Sequence, residues 1–411
     1  MKFGFGSWSR SSLPTALLAF VATALFSQTS ALSLEEVLAG QTNVTTFSGL
    51  VKDHPDIFNN LPKDVTIAVP NDFAFSKLGN WETYNESIVE ATLRYHILTQ
   101  SIPMTSIEKG DSIWASTTLN KAEFSTVTGG QRLILTKQPG GEVVFTSGFA
   151  TRGTVLVEDL AFDNGLVQII DSVMRVPETL ESTARNAYTD LTAFLGALYA
   201  TDLVDEIASE TDLTIFAPRN AAFQQLAGAF ADLSADSLRR VLRYHVVPGN
   251  LTHVWELRNA SSLATSSREG ARVHITRHTN FVYVNSAEIV QTDILIANGI
   301  VHLIDNVLNP DQPAARPDVT RTAQPPVFTP VGQTATGTDA PTPFVTHLPC
   351  TASCPVSEGP RPTGIGGGGD GEGEGAESSN AGPAPARCTG LAGAARMGVV
   401  GMAVGVVMVG L

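Results

Sequence analysis

The histidines of this chain are its best candidates for chemistry, because an imidazole can bind a metal ion or transfer a proton near neutral pH. His274 and His278 have the HxxxH spacing, but on the strand that we predict there four residues span about 13 Å, too far for one metal ion. His96 and His245 each lie in an LRYH sequence on an apolar helix face, which favours a buried, hydrogen-bonded imidazole. The sequence contains no G-x-S-x-G or H-E-x-x-H motif. We therefore predict no catalytic residue, no metal ligand and no cofactor.

The cysteines also argue against a metal site. All three, Cys350, Cys354 and Cys388, lie in the last quarter of the chain. A CxxxC half-site lacks the second pair of ligands that a structural zinc ion requires. A local disulfide between Cys350 and Cys354 is the remaining interpretation of this spacing. The earlier part of the chain must then be stabilised by an apolar core rather than by disulfides.

Four asparagines stand in N-x-[ST] acceptor sequences for N-glycosylation, namely Asn43, Asn85, Asn250 and Asn259. Glycosylation requires that the chain be secreted and that the acceptor lie at the surface. Asn250 directly follows a Pro-Gly turn signal, so we expect it to be the most exposed of the four.

Both ends of the chain carry targeting signals. Residues 1–31 combine basic residues, an apolar stretch and a small-residue site, which is the layout of a cleaved secretory signal. The chain ends in an apolar stretch with no charged residue after it, preceded by a spacer and a cluster of small residues, which is the layout of a GPI-attachment signal. We predict attachment at Asn380, with Ser379 or a site nearer Ala386 as alternatives. Residues 381–411 would then be a propeptide that is removed on anchoring.

Two stretches of nearly the same sequence occur about 150 residues apart. Residues 66–75 read TIAVPNDFAF, and residues 214–223 read TIFAPRNAAF. An LRYH sequence follows in each case, and NGLVQIID at 164–171 matches NGIVHLID at 298–305. The chain is therefore an internal duplication. The closing sequences have a smaller offset than the others, so copy one carries about fifteen extra residues after its LRYH.

These sequences resemble those of fasciclin (FAS1) domains, in which T-[VI]-F-A-P-[TS]-[ND]-x-A-F, a Tyr-His pair and N-G-x-[VI]-H-x-[IV]-D recur in this order. The resemblance predicts FAS1 domain 1 over residues 33–177 and FAS1 domain 2 over residues 186–310. Copy one departs from the pattern, with Val69 where copy two has alanine and Gln168 where copy two has His302. We therefore expect that copy one does not need the function of the closing histidine.

The resemblance also implies one candidate contact site. In animal FAS1 adhesion proteins an Asp-Ile pair just before the closing sequence is linked to integrin binding. The matching residues here are Asp293 and Ile294, with Asp159 and Leu160 in copy one. An isoleucine beside a closing strand is usually a core residue, so the alternative is that the pair serves the fold. A contact carboxylate would have to be exposed.

The helices and strands that position these residues can be predicted from short segments of the sequence. Helical periodicity precedes strand-like segments in each copy, which indicates an α+β fold. Asn220 is placed to cap one helix of copy two, and Ser234 is placed to begin another. Short β-branched segments predict strands at 133–136, 143–146, 273–276 and 281–284. The resemblance supplies the arrangement, two tandem FAS1 domains that are each a wedge of β-strands with packed helices.

The remaining composition constrains the function. Residues 311–380 are rich in Pro, Thr, Ser and Gly, which predicts a disordered stalk. The net charge of −14, with no basic cluster, argues against nucleic acid as a partner. We interpret the chain as a GPI-anchored surface glycoprotein, of a kind typical of fungi, that acts in adhesion or cell-wall organisation.

The partners expected of such a protein are wall glycans or other glycoproteins, together with the membrane that holds its lipid anchor. One alternative is a purely structural wall component without a receptor. The other is a ligand-binding or enzymatic module that uses a cleft between the domains.

Overall fold

The computed structural model describes residues 32–79, 81–226, 230, 233–267, 270–328 and 342–349. Within them, each copy forms one seven-stranded sheet with helices packed against it. The helices are α1 (Leu34–Ala39), α2 (Thr45–Asp53), α3 (Pro55–Phe58), α4 (Asp72–Leu78) and α5 (Glu86–Tyr95) in copy one, and α6 (Leu180–Asn186), α7 (Thr192–Ala200), α8 (Val204–Ser209), α9 (Asn220–Gln225) and α10 (Ala235–Tyr244) in copy two.

The strands of copy one are β1 (Val65–Pro70), β2 (Ile97–Leu98), β3 (Ser112–Ser116), β4 (Arg132–Lys137), β5 (Val143–Thr146), β6 (Arg152–Phe162) and β7 (Gly165–Ile170). Those of copy two are β8 (Leu213–Pro218), β9 (Val246–Val247), β10 (Ser262–Ala264), β11 (Arg272–His278), β12 (Phe281–Val284), β13 (Ala287–Ile296) and β14 (Gly299–Ile304).

The two sheets have the same strand order, β2-β1-β7-β6-β5-β4-β3 in copy one and β9-β8-β14-β13-β12-β11-β10 in copy two. The first strand of each copy pairs in parallel with the closing strand, β1 with β7 and β8 with β14. β1 and β8 are buried along their whole length, because alternate residues face two apolar clusters on opposite sides of the sheet. This is why both strands are apolar at every position except Thr66 and Thr214 and do not show an alternating pattern.

The glycine of each closing sequence is required by this parallel pairing. A Cβ atom added to Gly165 would lie 1.9 Å from the Val65 carbonyl oxygen, and one added to Gly299 would lie 2.2 Å from the Leu213 carbonyl oxygen. Only glycine allows two backbones to approach so closely. The repeated Asn-Gly is therefore a packing requirement of the sheet.

The α+β prediction is confirmed, and the four predicted strands correspond to β4, β5, β11 and β12. Ser234 caps α10 as predicted, because its side chain accepts the Ser237 N–H. The prediction for Asn220 is wrong. Asn220 is the first residue of α9 rather than its cap, and its side chain instead accepts the Ala193 N–H at the start of α7. The local pattern could not indicate this longer-range partner.

The core of copy two begins before the predicted boundary at residue 186. Helix α6 contributes Leu180 and Ala184 to the same apolar cluster as α7 and β8. Its N-cap is Thr179, whose side chain accepts the Ser182 N–H. The segment that joins the two copies is therefore part of the second one.

The first part of the predicted stalk is packed against copy two. Residues 311–328 and 342–349 have defined contacts, and the ring of Phe344 lies 5.9 Å from that of Phe223. The approach is close enough that a Cβ atom added to Gly196 would lie 2.2 Å from the Phe344 carbonyl oxygen. The expectation of disorder fails here because a few aromatic residues in a Pro-rich segment can pack on a core that already exists.

Candidate functional site

The two aspartates that the resemblance indicates occupy equivalent bulges. The pairing of β6 and β13 with their closing strands shifts at this point, and Asp159 and Asp293 have φ angles of 58° and 61°. The Asp159 carboxylate accepts the Met104 N–H at 2.9 Å, and the Asp293 carboxylate accepts the Val254 N–H at 3.0 Å. Aspartate tolerates this backbone conformation better than most residues. Each aspartate therefore ties a loop to its bulged strand.

The closing-strand residue that contacts this aspartate differs between the copies. In copy two, His302 Nε2 donates to the Thr252 carbonyl oxygen at 2.9 Å, which leaves Nδ1 to accept the Asp293 N–H at 3.3 Å. In copy one, Gln168 Oε1 accepts the Asp159 N–H and Nε2 donates to the Asp159 carboxylate, each at 2.8 Å. Glutamine thus reproduces the bond to the aspartate and directs its other polar atom to the same residue rather than to the loop.

His302 is a neutral structural link. Its ring is fully buried and stacks on Phe216 with the ring centroids 5.5 Å apart. Burial lowers the pKa of His302, and the Asp293 carboxylate, 3.9 Å from Nδ1, opposes this shift without reversing it. Both nitrogens of the neutral ring are occupied by backbone groups. The imidazole is therefore arranged to hold the loop rather than to transfer a proton.

The structure places the Asp-Ile pair within the fold. Ile294 is 2% exposed, as predicted for a core residue, and the Asp293 side chain is only 13% exposed. In copy one, Leu160 is half-buried against the apolar core, and Asp159 is engaged by a loop in the same way as Asp293. Asp293 therefore lacks the exposed carboxylate that a contact residue needs. Both aspartates act as positioning residues for the loops that they hold.

The loop held by Asp293 displays an exposed tryptophan that no sequence pattern singled out. Trp255 directly follows Val254 and is 55% exposed. The Arg277 guanidinium carbon lies 5.7 Å from the ring centroid, and Arg277 Nη1 donates to two carbonyl oxygens of the loop. An exposed indole supported by a cation can stack on a partner. The sequence contains one indication of this difference, since the residue of copy one that corresponds to Trp255 is Thr105.

The two LRYH histidines are core residues, as predicted. His96 Nδ1 donates to a backbone carbonyl one turn earlier at 2.7 Å, and Nε2 accepts the Met174 N–H at 2.9 Å. His245 makes the equivalent pair of bonds, with Nε2 accepting the Leu308 N–H. Burial lowers the pKa of each histidine to about 4. Each neutral ring therefore joins the end of a helix to the chain that follows the closing strand.

The copies contact each other beside the Trp255 loop. Trp114 of copy one stacks on His253 of copy two, with ring centroids 4.9 Å apart and 15° between the ring planes. Gln131 Nε2 donates to the Ala297 carbonyl oxygen at 3.3 Å. The loop that displays Trp255 therefore lies against copy one, and the surface around it includes residues of both copies.

All four sequon asparagines are exposed, namely Asn43, Asn85, Asn250 and Asn259. Asn85 Oδ1 caps α5 by accepting the Ile88 N–H at 2.9 Å. Asn259 Oδ1 accepts the Arg277 N–H, also at 2.9 Å. These bonds use the amide oxygen, whereas a glycan is attached through the amide nitrogen, so the local structure is compatible with glycosylation.

The predicted attachment site Asn380 and the cysteines Cys350 and Cys354 lie outside the described residues, as do residues 329–341 of the predicted stalk. Within the part of the chain that the structure describes, no group of three or more His, Cys, Asp or Glu side chains could hold a metal ion. No helix in that part has the length and apolar character of a membrane span.

The Fasciclin domain family model matches residues 42–177 and 189–310. A fasciclin-like arabinogalactan protein of Arthroderma benhamiae is 28% identical, over 76% of this chain and 75% of that protein. Another, of Cercospora beticola, is 28% identical over 72% of this chain and 81% of that protein. Among solved structures, the FAS1 domain pair from the insect cell adhesion molecule Fasciclin I matches 66% of this chain and 98% of that chain, at 18% identity and a TM-score of 0.33.

Proposed function

Since the chain belongs to the fasciclin domain family through both of its copies, we propose that it is a glycoprotein of the cell surface or cell wall that adheres to other surface components. The fungal relatives named as fasciclin-like arabinogalactan proteins support this location. The secretory signal predicted for residues 1–31 and the four exposed sequons support it as well.

The observation that supports an adhesive role is the exposed side chain of Trp255 with its loop, residues 253–256, which we call the Trp255 surface. The indole is exposed on a loop whose backbone is bound by two side chains. The Asp293 carboxylate accepts the Val254 N–H, and Arg277 donates to the Val254 carbonyl oxygen. His253 and Glu256 of the same loop pair with each other, with 3.5 Å between Nε2 and Oε1, so the loop that carries the indole also carries polar groups. A sugar presents an apolar face together with hydroxyl groups, and an aromatic ring with polar neighbours matches both. The partner that we propose is therefore a glycan of the wall or of another glycoprotein.

Replacing this tryptophan tests the proposal. Trp255→Ala should reduce binding of the full-length secreted protein to insoluble cell-wall polysaccharide by about tenfold, the loss typical of a central aromatic contact. Phe281→Ala is the matched control, because Phe281 is 49% exposed on the same copy but lies on strand β12 rather than on the loop of Trp255. The control should bind as the unchanged protein does.

The same experiment separates adhesion from a passive structural role. Equal binding by the Trp255→Ala variant and the unchanged protein, at equal melting temperature, would contradict adhesion through this surface. It would favour the alternative of a structural wall component without a receptor.

The membrane attachment that we propose is a GPI anchor at Asn380. Phosphatidylinositol-specific phospholipase C, after inositol deacylation where this is needed, should release the protein from membranes. Mass spectrometry should find no peptide that contains Leu411. A protein that stays in the membrane fraction with Leu411 intact would contradict the anchor and leave the adhesive role to be judged by the binding experiment.

A further inference from the structure

A cleft of about 450 Å³ opens beside α5 of copy one. Its walls are helix α5, the segment 173–179 that follows the closing strand, Phe124 and, from copy two, Ala297. Tyr84 and Ile88 border it and are 41% and 36% exposed. This volume falls within the range of small-molecule sites, and a mostly apolar lining is typical of them.

The equivalent groove of copy two is filled by the chain itself. The Pro325 carbonyl oxygen accepts a hydrogen bond from Asn306 at 2.7 Å, and the Phe328 ring lies 6.0 Å from that of Phe230. The segment that ends at Phe328 thus runs along the chain that follows β14. The ring of Phe328 packs on Phe230 at the end of this segment.

Two positions that line the groove are polar in copy two and apolar in copy one. Counting from the two LRYH sequences, Ile88 and Ala91 of copy one correspond to Ser237 and Arg240 of copy two. Arg240 forms an ion pair with Asp311 at 2.7 Å across the groove. Copy one has an apolar residue at each of these two positions, so its cleft lacks the ion pair that bridges the groove of copy two.

The extra residues of copy one form a further wall. The connection between β3 and β4 spans residues 117–131, whereas the equivalent connection between β10 and β11 spans only residues 265–271. Phe124 in this insertion lines the cleft, and Glu123 is tied to α5 through the Ser87 hydroxyl at 3.1 Å. The insertion therefore deepens the cleft instead of covering it.

The charges at the rim indicate the class of ligand. Glu123 and Glu178 both border the cleft and disfavour an anion. Arg175 also borders it, but its guanidinium carbon lies 4.1 Å from the centre of the Phe149 ring. Since the rings of Tyr84 and Phe124 also line the cleft, we propose that the cleft of copy one binds a small molecule that carries an aromatic ring system and no negative charge. This binding is independent of the adhesive role assigned to copy two.

A fluorescent probe tests the proposal on the full-length protein. N-phenyl-1-naphthylamine, which is uncharged and aromatic, should bind saturably with one site per chain. Ile88→Ser introduces the residue of copy two and should weaken binding by about tenfold through the lost apolar contact. Ile88→Arg should abolish binding by occupying the cleft. Ser237→Ala, at the equivalent position of copy two, is the control and should leave binding unchanged.

The melting temperatures of the variants should stay equal, because Ile88 is partly exposed. Saturable binding that is weakened about tenfold by Ile88→Ser and abolished by Ile88→Arg would support the proposal. Absence of saturable binding would overturn it and leave a peptide segment as the occupant of the cleft. Equal affinity for the unchanged protein and both Ile88 variants would place the probe elsewhere and would overturn it too.

Discussion

Copy one and copy two have the same sheet order and the same buried histidine, yet they differ in what lies against their helices. Residues 342–349 cover helix α7 of copy two, where Gly196 permits the approach. The equivalent Gly49 of copy one has open space around its Cα. The links made by His96 and His245 are the same in both copies, because each core needs one. The copies differ at the closing residue, His302 or Gln168, and at the surfaces that a loop, a tail or an open cleft occupies.

The largest effect is expected at the bulge before the closing strand. Ile294→Ala should lower the free energy of unfolding of copy two by about 2 to 5 kcal/mol, because a fully buried side chain is truncated. Leu160→Ala in copy one should cost clearly less, since Leu160 is only half-buried. Urea unfolding of both variants measures the difference. Equal losses would mean that the two bulges are packed alike.

Lowering the pH should destabilise both copies through the buried histidine that each contains. The folded pKa of His96 and of His245 is about 4, below the unfolded value of about 6.5. The unfolded chain therefore binds protons first, so stability is full above pH 6.5 and falls as the pH drops toward 4, by up to about 3 kcal/mol per histidine.

Unfolding by urea at pH 7 and at pH 4.5 measures this loss. The variants His96→Gln and His245→Gln should each remove a similar part of the pH dependence. If the pH dependence of stability that is removed differs several-fold between the two variants, the two buried histidines are not equivalent.

The closing residue gives a smaller effect that distinguishes the copies. His302→Gln places the residue of copy one in copy two and should cost about 1 to 3 kcal/mol, because the bond to the Thr252 carbonyl and the contact with Phe216 are lost. The reverse change, Gln168→His, keeps a group that can accept the Asp159 N–H. Thermal unfolding compares the two. A neutral His302→Gln would mean that the bond to the loop adds nothing to stability.

The smallest effect concerns the covered and uncovered helices. Gly49→Ala should leave stability unchanged or raise it by up to about 1 kcal/mol, because alanine favours the helix and the added Cβ meets nothing within 4 Å. Gly196→Ala should instead displace the segment around Phe344, since its Cβ would overlap that backbone.

Limited proteolysis between residues 342 and 349 should therefore become faster in Gly196→Ala and stay unchanged in Gly49→Ala. Protection of this segment in both variants would contradict its close packing on α7.

Much of the fold could be predicted because its signals are local or repeated. The β-branched segments gave β4, β5, β11 and β12, and Ser234 marked the start of α10. Asn220 was misassigned because its side-chain partner lies in α7, 27 residues earlier in the chain. Of the candidate site, the burial of Ile294 was predictable from its place beside a closing strand. The internal role of Asp293 was not, since its partner, the Val254 N–H, lies 39 residues earlier.

The sequence by itself determined the duplication, the family resemblance, the α+β class and the four glycosylation acceptors, because each depends on residue types at short or repeated spacings. It did not give the order of the elements, since β1 and β8 precede the last two helices of their copies. Only the tertiary structure decided that Asp293 holds a loop, that Trp255 is displayed, that Phe344 returns to copy two and that copy one keeps an open cleft. These features depend on which distant segments meet. These long-range contacts depend on packing and hydrogen bonds between segments that are far apart in the chain, and no short sequence pattern predicts them.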